Sequence, residues 1–150
     1  MAHERYKATP AVYLFFKKDG KLLLTRRVNT GYEDGKYMVP SGHVERGESL
    51  TDAVMREVME EVGIGIEREN LRLVHTMYRP AHDATGERAD FFFEARAWRG
   101  EPRNREPEKC DEVAWFPLNA LPENIVGYLR VALAAVERGD PLSEPGWRAR

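Results

Sequence analysis

Apolar residues recur along the 150-residue chain in short runs separated by polar, glycine-bearing stretches. Ala11–Lys17 and Lys21–Arg27 are apolar and β-prone, and Asp19-Gly20 between them is a tight-turn dipeptide, so the two runs are expected to form a hairpin. Thr30–Lys36 is rich in glycine and charge and reads as a loop, after which Tyr37–Pro40 forms a short strand running into Ser41-Gly42. Leu71–Tyr78 and Asp90–Trp98 read as two further strands joined by the polar stretch Ala81–Arg88. A polar loop with two prolines, Gly100–Cys110, precedes another short strand at Glu112–Phe116.

The period changes in Ser49–Val62, where Val54, Met55, Val58 and Val62 fall on one side of a helix turning 100° per residue. Ser49 is suited to cap its start, Asp52 three residues on completes a capping-box pattern, and Gly63 supplies a stop. A last helix is expected over Asn124–Arg138, with the tail after Gly139, including Trp147, either loose or packed back on the body. Strands with helices inserted out of strict alternation predict an α/β fold, a mixed sheet covered by helices on both faces.

Composition narrows the partners. The formal charge of −2 gives no general pull toward nucleic acid or an anionic membrane, so phosphate binding must come from a local cluster. Cys110 is the only cysteine, which excludes an intrachain disulfide and fits a reducing compartment. The first residues, MAHERYKATP, lack the apolar core of a signal peptide, and no run is long enough to cross a bilayer. These features lead to the expectation of a single cytoplasmic domain over residues 1–150, monomeric or homodimeric.

The segment Gly42–Ile64, GHVERGESLTDAVMREVMEEVGI, carries the chemistry. Spacings of three and four place Glu57, Glu60 and Glu61 on one helix face, where three carboxylates repel one another. A hard divalent cation such as Mg²⁺ relieves that repulsion. A solvated acidic face is the bland alternative for an isolated ExxEE. The segment as a whole, however, resembles the Nudix hydrolase signature G-x5-E-x7-R-E-U-x-E-E-x-G-U, in which U is a bulky aliphatic residue. Gly42, Glu48, Arg56, Glu57, Val58, Glu60, Glu61, Gly63 and Ile64 fill every specified position.

The resemblance implies a Nudix α/β/α sandwich with a mixed β-sheet and Mg²⁺-dependent cleavage of a phosphoanhydride, with Mn²⁺ able to substitute. It also assigns roles: Glu57, Glu60 and Glu61 hold metal, Arg56 orients Glu57, Glu48 braces the loop, and Gly42 and Gly63 are structural. The residue before the motif glycine, here Ser41, would offer its carbonyl to the metal. His43 either reaches phosphate or packs. Glu57 or Glu61 could act as base, and Glu106 or Glu108 could add a carboxylate from the loop before the last sheet strand.

Substrate contacts follow from the same likeness. Arg26 and Arg27 end a strand where the family often places a phosphate-contacting base, and alternation sends them to opposite faces. Tyr32 and Tyr37 could stack on a base or pack, and Asn124 either reads a base or caps the last helix. The short N-terminal stretch is similar to compact nucleoside-triphosphate members. Pro80, 16 residues past Ile64, is placed as in ADP-ribose-handling members, and Leu23–Arg27 resembles part of a motif of coenzyme A-cleaving ones. The expected activity is hydrolysis of a nucleoside diphosphate linked to a group X, with a nucleoside triphosphate favoured, oxidised or otherwise noncanonical ones included. ADP-ribose or another sugar nucleotide, and a nucleotide sensor without catalysis, are the alternatives.

Overall fold

The structure, a computed structural model, describes residues 3–148. Its elements run β1 (Thr9–Phe15), β2 (Lys17–Lys18), β3 (Lys21–Arg27), β4 (Tyr37–Met38), β5 (Ser41–His43), α1 (Leu50–Val62), β6 (Leu71–Arg79), β7 (Arg88–Ala95), β8 (Cys110–Pro117), α2 (Gly127–Arg138) and β9 (Leu142–Ser143). The strands form a mixed sheet in the order β5-β1-β7-β6-β9 and an antiparallel one in which β3 pairs with β2, β4 and β8.

Alternation along the central strands explains the layering. Ala11, Tyr13 and Phe15 of β1, with Leu22 and Leu24 of β3, pack toward Leu129 and Ala132 of α2. Val12, Leu14, Phe16 and Leu23 point the other way, onto Val54, Val58 and Val62 of α1. Each fully buried aliphatic or aromatic side chain of this kind contributes about 1.5–3 kcal/mol. Both sheets feed both cores, so the strands make the middle layer and the helices cover its faces. That is the α/β/α arrangement expected.

The first hairpin is shorter than its apolar runs suggest. Asp19 (φ 53°) and Gly20 (φ 72°) make the turn, but only Lys17 and Lys18 pair across it. Strand β1 instead lies between β5 and β7. Its residues Ala11–Phe15 are buried whichever face they point to, and a strand apolar on both faces is stabilised in a sheet interior rather than at a hairpin edge.

Helix α1 has the expected ends. The Ser49 side chain accepts from the Asp52 backbone amide, and Gly63, at φ 71°, donates its amide to the Met59 carbonyl. The reciprocal half of the capping box is absent, since the Asp52 carboxylate pairs with Arg68. Ala53 is buried where Met55 was expected, and Met55 is half-buried. The tail packs back: β9 runs parallel to β6, and the Trp147 ring stacks on Tyr78 at 5.6 Å with its Nε1 donating to the Tyr78 carbonyl at 2.9 Å. Among the described residues no helix is long and apolar enough to cross a membrane.

Candidate active site

A cleft of about 770 Å³ collects β1, the end of β3, β5, the polar face of α1 and the loops after β3, β6 and β7. Its acidic wall is α1. Because α1 buries Val54, Val58 and Val62, the positions between them turn Glu57, Glu60 and Glu61 toward the cleft.

Arg56 organises this wall. Its Nε and Nη2 grip the two oxygens of Glu48 at 2.7 and 2.9 Å, Nη1 donates to Glu57 Oε1 at 2.7 Å, and Nη2 also donates to the His43 carbonyl at 3.1 Å. A planar fork of donors suits this bracing, which ties the loop before the helix to the helix itself. The bonds to Arg56 hold the Glu48 carboxyl down at about 2. Burial pushes Glu57 up, against the pull of Arg56. Burial, and then the neighbouring charge of Glu57, push Glu61 well above the ordinary carboxylate range. Glu61 is half-buried and receives a backbone hydrogen bond from Ser41 at 3.2 Å.

Glycine at position 42 has a direct steric cause. A Cβ there would lie 2.1 Å from the Glu57 carboxyl carbon, so only glycine lets Glu57 come this close to the loop.

The acidic residues do not all converge. Glu57 and Glu61 sit together, while Glu60, with half its side chain exposed, leans toward Arg56 at 3.4 Å. Among the described residues no three acidic, histidine or cysteine side chains are gathered into a ready cage for an ion. The donor set still fits a hard divalent ion: part-buried carboxylates whose burial, and then the charge of neighbouring carboxylates, raises their proton affinity, on the wall of an open cleft.

The loop candidates separate. Glu106 lines the cleft and adds to the repulsion felt by Glu57 and Glu61, whereas Glu108 does not line it. Glu106→Ala is therefore expected to lower turnover about tenfold or more, with Glu108→Ala near wild type. Equal kcat values for the two variants would return Glu106 to a solvated role.

On the basic side, Arg26 and Arg27 both line the cleft. The β3–β8 register shifts between them, pairing Arg26 with Glu112 and Arg27 with Cys110, and their guanidinium groups turn to different partners, as alternation leads one to expect. Arg26 is occupied by Asp111, at 2.7 and 3.1 Å, whereas Arg27 braces its own loop through the Tyr32 carbonyl and Thr30. Tyr32 is half-buried at the cleft edge, its ring beside that of His82. Tyr37 is buried, donating to Glu112 at 2.7 Å, so it packs. Asn124 neither lines this cleft nor caps α2, which starts at Gly127 with Val126 as its cap. Its side-chain amide donates to the Gly35 carbonyl at 2.9 Å while its main-chain carbonyl accepts from the Tyr37 backbone amide, so it fastens two loops together.

Arg88 is a cleft residue that pattern reading passed over. It is buried, and its Nη1 donates to His43 Nε2 at 2.8 Å. Burial and the Arg88 charge lower the His43 pKa, leaving a neutral imidazole facing the guanidinium. The available signal was the pair Arg88 and Asp90, two charges at alternate positions opening an apolar strand.

Comparison with known proteins agrees with this geometry. The family described as NUDIX domain matches residues 5–135. An ADP-ribose pyrophosphatase of Methanocaldococcus jannaschii is 34% identical over 116 residues, 76% of this chain and 66% of that protein. An NAD-capped RNA hydrolase, NudC, of Photorhabdus laumondii is 34% identical over 80% of this chain and 44% of its own length, so the chain spans only part of these relatives. The crystal structure of a MutT NUDIX hydrolase from Burkholderia pseudomallei superimposes with a TM-score of 0.77 at 29% identity, over 86% of this chain and 98% of that one. The chain belongs to the Nudix family.

Proposed function

We propose that this chain hydrolyses the phosphoanhydride bond of a nucleoside diphosphate linked to a group X, using a divalent metal. The observation that carries the reading is the Arg56 fork, which fixes Glu57 beside the part-buried Glu61 on the wall of a cleft with basic residues across from it. Glu57 and Glu61, with Glu60, Glu106 and the Ser41 carbonyl as further oxygen donors, would hold Mg²⁺ or Mn²⁺. Such an ion polarises phosphoryl oxygens and makes a bound water acidic near neutral pH.

The protein's own contribution is to place the proton acceptor and the substrate. Glu57 and Glu61 have raised proton affinity, which suits either to take a proton from the attacking water. Arg56 keeps the Glu57 carboxyl turned one way, and Arg26, Arg27 and Arg88 supply positive charge where phosphates would lie.

For X, a nucleoside triphosphate is the compact choice, supported by the sequence's likeness to compact nucleoside-triphosphate members of the family. A second reading, in which X is larger, has the relative named ADP-ribose pyrophosphatase behind it. An intact arginine-braced acidic wall supports catalysis over a purely sensing role.

Turnover of a panel of nucleoside triphosphates and sugar nucleotides, with Mg²⁺, Mn²⁺, Ca²⁺ or excess chelator, tests the proposal. Activity is expected with the first two ions, with Ca²⁺ a poor substitute because its longer, looser coordination misplaces the water. Full activity in chelator would overturn it.

A further inference from the structure

The cations that line the cleft are not equivalent. Arg26 is held by Asp111, with Glu112 3.6 Å from its Nη1. Arg56 is engaged by Glu48 and Glu57, and Arg27 by the Tyr32 carbonyl and Thr30. Arg88 donates to His43 and, at 3.1 Å, to the Thr85 hydroxyl, and lies 3.6 Å from Asp83. These guanidinium groups are fixed charges whose N–H groups are largely committed. Lys109 is the exception. It lines the cleft and is exposed, and among the described residues its ammonium has neither an ion-pair nor a hydrogen-bond partner.

The main chain beneath it is fastened. The amides of Lys109 and Cys110 both donate to the Glu106 carbonyl at 2.9 Å, which closes a single turn. The Lys109 carbonyl accepts from the Val28 amide at 2.9 Å, and the Asn29 side chain donates to the Glu108 carbonyl at 3.3 Å. The turn is thus sewn to the end of β3. It presents Glu106 and Lys109, three residues apart, to the cleft and leaves Glu108 outside. An exposed lysine usually serves only hydration. Here the base of the side chain is fixed at the rim of a cleft lined by Glu57, Glu61 and Glu106, and none of those carboxylates pairs with it. A diphosphate brought into this cleft adds negative charge to that lining and needs a cation whose donors are unclaimed. A compact ammonium with three rotatable donors on a flexible stem can meet phosphoryl oxygens in many orientations.

We propose that Lys109 is a substrate-binding residue of this site, its ammonium pairing with a phosphoryl oxygen of the bound diphosphate. The proposal rests on the diphosphate lying in this cleft, as under the proposed function. The turn then divides its work, with Glu106 serving the acidic wall and Lys109 holding the substrate. An interaction made equally with the ground and transition states lowers KM and leaves kcat nearly unchanged.

Two readouts test this: KM and kcat for the nucleotide turned over fastest with Mg²⁺, and the affinity for ADP with Ca²⁺ in place of Mg²⁺. Lys109→Met keeps an aliphatic stem and removes the charge. It is expected to raise KM and weaken ADP binding about fivefold or more, with kcat within about threefold and the melting temperature unchanged. Lys109→Arg returns the charge and should restore both to within about threefold of wild type. Lys18→Met removes the same charge from β2, beside the first residue of β3 and outside the cleft, and should change neither by more than about twofold.

An unchanged KM in Lys109→Met, whatever happens to kcat, would overturn the proposal. So would an equal loss in Lys18→Met, which would mark an effect of net charge, or a failure of Lys109→Arg to restore binding. ADP binding that depends on Lys109, in a protein without metal-dependent turnover, would keep this contact and refute the hydrolase reading. Metal-dependent turnover indifferent to Lys109 would do the reverse. A wild type that neither turns over a nucleotide nor binds ADP would overturn both.

Discussion

Glu61→Gln is expected to cost at least about a hundredfold in turnover and at the same time to make the metal-free protein more stable. The part-buried carboxylate sits beside Glu57 and near Glu106, and its proton affinity is raised well above the ordinary value of 4.5. A carboxyl raised in this way costs the fold nothing below its unfolded value, where both states are protonated. The cost appears as pH climbs above about 4.5 and is complete once pH exceeds the raised folded value. Glutamine keeps the shape and removes the charge. The melting temperature in chelator should therefore match wild type near pH 4 and exceed it by several degrees at pH 7.5, at about 2–4 °C per kcal/mol for a chain of this size. Thermal unfolding across that pH range, with kcat under saturating Mg²⁺, measures both halves. A variant that is less stable at pH 7.5, or one that turns over normally, would contradict the site.

Gly42→Ala is expected to separate folding from chemistry in the other direction. The new Cβ would lie 2.1 Å from the Glu57 carboxyl, far inside contact distance. Gly42 is not among the residues at positive φ, so the backbone accepts alanine. The carboxyl is the end of a flexible side chain, and it yields by leaving Arg56. A displacement of about 1 Å in a catalytic group costs on the order of a hundredfold. Turnover should fall by that amount with a small loss in melting temperature. Because glycine acts here through Glu57, the double variant Gly42→Ala/Glu57→Gln should be no worse than Glu57→Gln alone. Additive losses would mean that position 42 serves something else.

Local signals carried much of this molecule into view from sequence. Residues within α1 interact over one or two turns, so the period of its valines, the Ser49 cap and the Gly63 stop place its ends within a residue of those found. The acidic face was legible for the same reason, and the resemblance to the Nudix signature supplied the role of its arginine. Contacts between distant segments were not legible. The cap expected at Asn124 fails because Tyr37 pairs its backbone with Asn124 and Val126, which keeps the chain extended until Gly127. The register shift beside Arg26 and Arg27, which sets Asp111 against Arg26, is imposed by the partner strand β8 and has no signal in β3 itself. Loop curvature, invisible to composition, decides that Glu106 lines the cleft and Glu108 does not. Arg88 is buried against His43, 45 positions away, a pairing set by the neighbouring strands β5, β1 and β7.

The Arg56 fork closes a circuit within one short stretch of chain. Its partners at Glu48, Glu57, Glu60 and the His43 carbonyl all lie between positions 43 and 60, and Glu61 takes its backbone hydrogen bond from Ser41. Few of the bonds that set the acidic wall depend on the loops that shape the rest of the cleft. The residues around Tyr32 and His82 can thus be exchanged without rebuilding the wall, and the two parts can be redesigned on separate schedules. A library confined to residues 29–36 and 80–87 would vary the other walls of the cleft while leaving the Arg56 circuit intact.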